Sequence, residues 1–332
     1  MTGEGTGVVI EDGHMVTTVT LDRPKSLNAL TTDMVRRIKD CVEASAKPVL
    51  IRSAHPSVFC AGGDIRAIRS HSLAGERSAV TDFFATEYAM NLAIAQAVPP
   101  VVSVVDGVCL GGGLGIAGHS GIHVVTDRAA IAMPESAIGF FPDVGASHLL
   151  AGAPGAIGLY LGMTGARVGA DDAVYSGLAT HIVSAERVAA FEQRVQQVGL
   201  QDALQACHRP VQLDSCTLHA HRADIDRCFS ADTVAEIIDR VADSQNDWSR
   251  QTLGLLTAAA PQSLVTAFTA IRLARGTTLA DCLATDLRIA EGMVTTPDFL
   301  EGVGAKLVDK RAAVWTSRLD DPAPVPAAGA RR

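Results

Sequence analysis

An α/β core joined to a helical C-terminal part is the fold class this sequence predicts, and three observations predict it. The N-terminal half alternates short β-branched runs with stretches of helical spacing, opening strand, helix, strand. From Ala185 onward the apolar spacing is helical nearly throughout, with polar breaks near Asp214-Ser215 and over residues 243–247. At 332 residues, 48% hydrophobic and 19% charged, the chain can bury a large core as one large domain or two. The expected division is an α/β core over residues 1–200, a helical region over 201–318, and a Pro/Ala-rich end over 319–332 whose composition predicts disorder.

The elements follow in order. Residues 15–21 alternate as a strand that Asp22-Arg23-Pro24 ends. Leu27, Leu30, Met34, Val35, Ile38 and Val42 predict a helix over 27–42, with Thr31 or Thr32 available as its cap. Pro48 introduces a short strand over 49–52. Phe59-Cys60-Ala61-Gly62-Gly63-Asp64 is a glycine-bearing loop before a helix that starts at Ile65; Asp64 there is as readily a helix cap as a ligand contact. Residues 82–97 predict an amphipathic helix, whose acid Glu87 reads first as a solvated face residue. Residues 101–105, bounded by Pro100 and Asp106-Gly107, read as a buried strand. Beyond them 145–161 is helical in tendency, 170–176 is a short helix ended by Gly177, and 179–183 is a last short strand.

The chemistry concentrates between residues 100 and 143. Gly111, Gly112 and Gly113 follow the strand and precede a small-residue segment that can begin a helix. Glycines at such a junction let backbone N–H groups approach a ligand, and the helix dipole favours negative charge there. Two carboxylates follow in apolar sequence, Glu135 behind Met133-Pro134 and Asp143 behind Pro142. A carboxylate in such surroundings is costly and marks a task. Together with the loop at 61–63, the triple glycine supplies two sets of exposed N–H groups able to converge on one oxygen. The pattern is a backbone anion hole facing two acids.

Other classes are disfavoured. A net charge of −8 with no basic run argues against nucleic acid as a partner. The seven cysteines are scattered without a CxxC pair or Cys/His cluster, against a disulfide framework or a zinc site. His119, His148 and His181 lack metal-site spacing and read as structural. Gly113 to Gly118 fits GxGxxG, but the strand over 101–105 ends several residues too early for a dinucleotide fingerprint. Gly118-His119-Ser120-Gly121 lacks the final glycine of a nucleophile elbow. The first ten residues have no basic n-region or apolar h-region, and no apolar run is long enough to span a bilayer. The expectation is a soluble, cytoplasmic protein with no metal and no membrane partner.

At this point the residues carry a resemblance. LDRPKSLNAL from Leu21, FCAGGDI from Phe59, DGVCLGGG from Asp106 and AMPESAIGFFPD from Ala132 resemble the crotonase (enoyl-CoA hydratase/isomerase) superfamily. LGMTGAR from Leu161, GLATHIV from Gly177, CFSADTVAEI from Cys228, APQSL from Ala260 and FLEGVGAKLVD from Phe299 resemble its 3-hydroxyisobutyryl-CoA hydrolase branch. The similarity runs from about residue 7 to 318. It implies a crotonase-like spiral of ββα turns with helical C-terminal packing, and a coenzyme A thioester as substrate. The implied oxyanion hole is the N–H groups of Ala61 and Gly112, with Gly62, Gly63, Asp64 and Glu87 as substrate-binding positions, Glu87 lining the acyl pocket. Hydratases of this superfamily use two glutamates; the first of those positions is Gly115 and the second is Glu135. With Asp143 also present, the resemblance implies a hydrolase in which Glu135 and Asp143 are catalytic. Glu135 acts as nucleophile or as general base, and Asp143 binds the substrate's 3-hydroxyl or positions Glu135. The implied reaction releases 3-hydroxyisobutyrate and coenzyme A in valine breakdown, with no cofactor, since coenzyme A is part of the substrate. The alternatives are another crotonase activity and a non-catalytic acyl-CoA-binding protein. A homo-oligomer is a further implication of the superfamily.

Overall fold

The computed structural model describes residues 6–325, and it bears out an α/β fold with a large helical part. Residues 1–5 of the N-terminal stretch and 326–332 of the expected disordered end lie outside the described residues. The chain divides into two compact units, each assembled from separate stretches. The first comprises Met1–Gly63, Thr86–Ile131 and Val168–Thr217; the second comprises Asp64–Ala85, Ala132–Arg167 and Leu218–Arg332.

The first unit is built on strands β1 (Val8–Asp12), β2 (Thr17–Leu21), β3 (Val49–Ser53), β4 (Val58–Cys60), β5 (Val101–Val105), β6 (Val108–Leu110), β7 (Ile122–Val125), β8 (Ala130–Ala132), β9 (His181–Val183) and β10 (His208–Arg209). Seven of them form one mixed sheet in the order β1-β2-β3-β5-β7-β9-β10, parallel from β2 to β9 and antiparallel at both edges. The other three form a small sheet in the order β4-β6-β8. Val16, Leu50, Val102, Val104, Val124 and Val183 pack against Phe191, Val195, Ala203 and Leu204 of two helices, Val188–Val198 and Leu200–Cys207. β5 is buried along its whole length, as its unbroken apolar run requires of a central parallel strand.

The helix expected over 27–42 begins only at Thr32. Pro24–Ser26 is a 3-10 turn, and Leu27 and Asn28 take left-handed φ values of 52° and 56°. Thr31 is the cap, its hydroxyl accepting the Met34 N–H at 3.3 Å. The helical tendency over 145–161 resolves into two helices, Ala146–Ala151 and Ile157–Thr164, interrupted where Gly152 to Gly155 cannot hold one.

The second unit is helical, and its core is aromatic. Phe84 stacks on Phe140 at 5.7 Å between ring centroids, while Phe141 and Phe299 tilt against Phe140 at 4.9 and 5.7 Å. That cluster fixes the segment running from the 3-10 turn Glu135–Ile138 to Asp143. Gly139, at φ 75°, lies so close to the backbone of Asp298 and Phe299 that a Cβ would overlap it.

Candidate active site

In the first unit the small sheet brings two glycine loops together. β4 and β6 are parallel, with Cys60 opposite Cys109 and an irregularity between Val58 and Cys60. A Cβ on Gly62 would stand 3.3 Å from the Leu110 carbonyl and 3.6 Å from the Gly112 nitrogen. Gly62 also has φ 100°, so no other residue suits the position.

The first loop is held from behind by Asn28. Its Oδ1 accepts the Arg23 N–H at 2.8 Å, and its Nδ2 donates to Ser53 Oγ at 2.8 Å and to the Phe59 carbonyl at 2.9 Å. Asn28 is fully buried, and an amide with three partners repays its desolvation. Its left-handed backbone lets the chain double back beside the loop, so that the Leu30 N–H reaches the Gly62 carbonyl at 2.8 Å.

The same doubling back corrects one expected role. The Ala61 N–H donates to the Leu27 carbonyl at 3.0 Å, so Ala61 is not available as an oxyanion donor. No acceptor among the described residues takes the N–H of Gly63 or of Gly112, and the Gly63 nitrogen lies 3.3 Å from where a Cβ on Gly112 would be. The pair that the two loops present is Gly63 and Gly112. Gly112 opens the helix Gly112–His119, which adds the positive end of a helix dipole. The carboxyl of Glu87 reaches the same place, since a Cβ on Gly112 would overlap its Oε1. Glu87 is buried rather than on a solvated face. Gly115 is buried in the same short helix, whose glycines at 113, 115 and 118 belong to the helix and not to a phosphate-binding loop.

The second unit carries the acids. Glu135 opens the 3-10 turn after Pro134, is buried, and has an Oε2 with no hydrogen-bond partner among the described residues. Burial pushes its carboxyl well above the usual range, and the neighbouring Asp143 carboxylate pushes it further, against its own backbone N–H. Asp143 is itself buried, and the next two residues, Val144 and Gly145, take φ values of 54° and 73°. Left-handed backbone at a β-branched residue is a strained conformation. Asp64 also belongs to this unit, where its Oδ1 caps the helix Ile65–Ala74 by accepting the Ala67 N–H at 3.4 Å. That is the capping role weighed for it in the sequence. One carboxylate the sequence did not single out lies beside Asp143: Asp286, on the buried face of the helix Leu279–Met293. Its signal in the sequence is an acid at a position of the helical stripe that Cys282, Ile289 and Ala290 also occupy.

Comparison with known proteins now decides the family. The enoyl-CoA hydratase/isomerase family model matches residues 16–323. The chain belongs to that family. It is 34% identical to the mitochondrial 3-hydroxyisobutyryl-CoA hydrolase of Xenopus tropicalis over 95% of this chain and 87% of that one. With the mitochondrial 3-hydroxyisobutyryl-CoA hydrolase of Homo sapiens it shares 33% identity over 91% of this chain and 82% of that one. Two solved structures of the family superpose closely. A carnitinyl-CoA dehydratase from Mycobacterium thermoresistibile has a TM-score of 0.87 at 33% identity, covering 91% of this chain and 90% of its own. An enoyl-CoA hydratase from Rhodobacter sphaeroides has a TM-score of 0.88 at 33% identity, covering 95% and 94%. The relatives' names overturn the cytoplasmic expectation: those of Xenopus tropicalis, Homo sapiens and Mus musculus are named mitochondrial. That expectation leaned in part on the scattered cysteines, and free thiols are allowed in any reducing compartment.

Proposed function

We propose that this family member hydrolyses the thioester of a short 3-hydroxyacyl-CoA, with 3-hydroxyisobutyryl-CoA, the substrate in its relatives' names, as the first candidate. The observation that carries the reading is the buried Glu135, with an unpartnered carboxyl oxygen and Asp143 beside it, in a chain whose residue 115 is glycine. Hydration by two glutamates lacks one of its partners when position 115 has no side chain. Hydrolysis needs one activated oxygen and a place for the charge that develops.

In this reading the Gly63 and Gly112 N–H groups take the thioester carbonyl. As it becomes tetrahedral its oxygen turns anionic, and two fixed N–H donors stabilise it by about 3–4 kcal/mol each. The raised affinity of Glu135 for a proton suits it to take one from water as that water attacks the carbonyl carbon. Collapse of the intermediate breaks the carbon–sulfur bond; the thiolate leaves as coenzyme A, protonated from Glu135, which is thereby restored. Asp143 accepts a hydrogen bond from the substrate's 3-hydroxyl and favours substrates that have one. Glu87, at Gly112, lines the acyl group, and no cofactor takes part.

The test is thiol release from (S)-3-hydroxyisobutyryl-CoA, run beside crotonyl-CoA as the hydration control. Fast release without loss of the crotonyl chromophore supports the reading. Loss of that chromophore without thiol release overturns it in favour of a hydratase, the activity for which the Rhodobacter sphaeroides neighbour is named. Hydroxylamine trapping of an acyl group on Glu135 would replace the general-base step with a covalent one.

A further inference from the structure

A third buried acid of the second unit, Asp286, lies beside Asp143. Asp286 is 1% exposed, in the middle of the buried stripe of the helix Leu279–Met293. Its Oδ2 accepts the backbone N–H of Gly145 at 2.8 Å. No cation pairs with it among the described residues. The groups facing it are Asp143 from the loop, the Gly145 N–H, and on its own helix the Cys282 thiol, which Ser147 hydrogen-bonds. An acid buried among such neighbours is expensive, and a hydrophobic residue there would pack at lower cost.

The hydrogen bond falls at the strained part of the loop. Val144 and Gly145 are consecutive left-handed residues directly after Asp143, and the Ala146 N–H closes the turn on the Asp143 carbonyl at 2.8 Å. A left-handed valine persists only where its surroundings over-determine it. The Asp286 carboxyl supplies one of those constraints, because Gly145 N–H would otherwise be a buried donor with no acceptor. The direction in which the turn leaves residue 143 sets where the Asp143 carboxylate points.

We propose that Asp286 is a positioning residue for the catalytic acids: by holding the Gly145 N–H it fixes the left-handed turn and with it the direction of Asp143. This rests on the hydrolase reading for its catalytic consequence, though not for its geometry. Burial, with the Asp143 carboxylate next to it, holds the Asp286 carboxyl well above the usual range, against the Gly145 N–H that it accepts. Asparagine reproduces that acceptor; alanine does not.

The experiment measures thiol release for wild type, Asp286→Asn and Asp286→Ala from about pH 5 to about pH 9, together with amide exchange at Gly145. Asp286→Asn is expected to keep kcat within about threefold and Gly145 protected. Asp286→Ala is expected to lose roughly 10- to 100-fold in kcat with KM changed less than about threefold, and to expose the Gly145 amide. Its surviving activity should also show an altered acid limb of the pH profile, which lost fold stability alone would not produce. The proposal is overturned if Asp286→Ala keeps kcat within about threefold, or if Asp286→Asn falls as far as alanine. Should the alanine variant fail to fold, asparagine decides alone, and loss of Gly145 protection in it overturns the proposal. If wild type releases no thiol, it is the hydrolase reading that fails, and the Gly145 exchange comparison still tests the turn.

Discussion

Oε1 of Glu87 occupies the space that a side chain on residue 112 would need, and the same Cβ would stand 3.3 Å from the Gly63 nitrogen. Glycine at 112 is therefore required by what surrounds it rather than by its own backbone. Gly112→Ala must displace either the Glu87 carboxyl or the neighbouring loop, and both belong to the proposed acyl and oxyanion positions. The expected result is a loss of roughly 10²–10³-fold in kcat for thiol release, the cost of losing one oxyanion donor. Gly113→Ala is the contrast, since its Cβ would meet Cys60 Cβ and the Cys60 carbonyl at 2.9 Å. It should lower the thermal midpoint, because it wedges β4 away from the helix.

Glu135→Gln separates chemistry from binding. The amide keeps the shape and cannot accept the proton, so kcat should fall roughly 10²–10⁴-fold with KM little changed. The same substitution should stabilise the fold. An acid whose folded pKa is raised binds more protons folded than unfolded, so its stabilising contribution is fully present at low pH and is lost as pH rises through the folded value. Glutamine abolishes that loss. Its thermal midpoint should exceed wild type at pH 8, by about 2–4 °C for each kcal/mol relieved, and the gain should shrink toward pH 4. A calorimetric series over pH reads this directly, and equal midpoints at pH 8 would contradict the burial of a carboxyl whose Oε2 has no partner among the described residues.

Asp143→Asn should act on the pH profile in one direction. The Asp143 carboxylate pushes the Glu135 pKa upward, so removing its charge lets Glu135 ionise at lower pH. The acid limb of kcat/KM should move to lower pH, while KM for a 3-hydroxyacyl substrate rises only about two- to fivefold, because the amide oxygen still accepts from the hydroxyl but without the charge. An acyl-CoA without the hydroxyl should show no such rise. A limb that stays in place would mean that the two carboxyls do not titrate together.

Much of this was legible in the residues. The β-branched run at 101–105, the two glycine loops and the acids at 135 and 143 announce themselves because periodicity and buried-charge cost are local properties. The mistaken donor shows where that stops. Ala61 and Gly63 are two residues apart in the same loop, and only the left-handed backbone at Leu27 and Asn28, which brings the Leu27 carbonyl onto the Ala61 N–H, tells them apart. β6 was missed for a similar reason. Three residues between Gly107 and Gly111 show no period, and its parallel pairing with β4 joins segments about fifty residues apart. β1 has only Val8 buried, so it lacks the alternation that would mark it. The two units interleave along the chain, which a reading by consecutive stretches cannot express.

His123 on β7 supplies a prediction far from the acids in kind. Its ring is buried, Nδ1 lies 2.6 Å from the Leu178 carbonyl and so carries the proton, and Nε2 has no partner among the described residues. Burial pushes its pKa down to about 4, against the pull of the Leu178 carbonyl. Between its unfolded value of 6.5 and that folded value, the unfolded chain binds the proton and the folded chain does not. Stability from this residue is therefore complete above about pH 6.5 and is lost as pH falls toward 4. His123→Gln can still donate to Leu178 and cannot titrate, so urea unfolding at pH 7 and pH 4.5 should show it losing about 2–3 kcal/mol less than wild type over that interval. Glu135 and Asp286 work in the opposite direction over the same range, but they are present in both proteins and cancel in the comparison. Identical slopes for the two proteins would place the His123 ring in contact with water, contrary to its burial in the sheet.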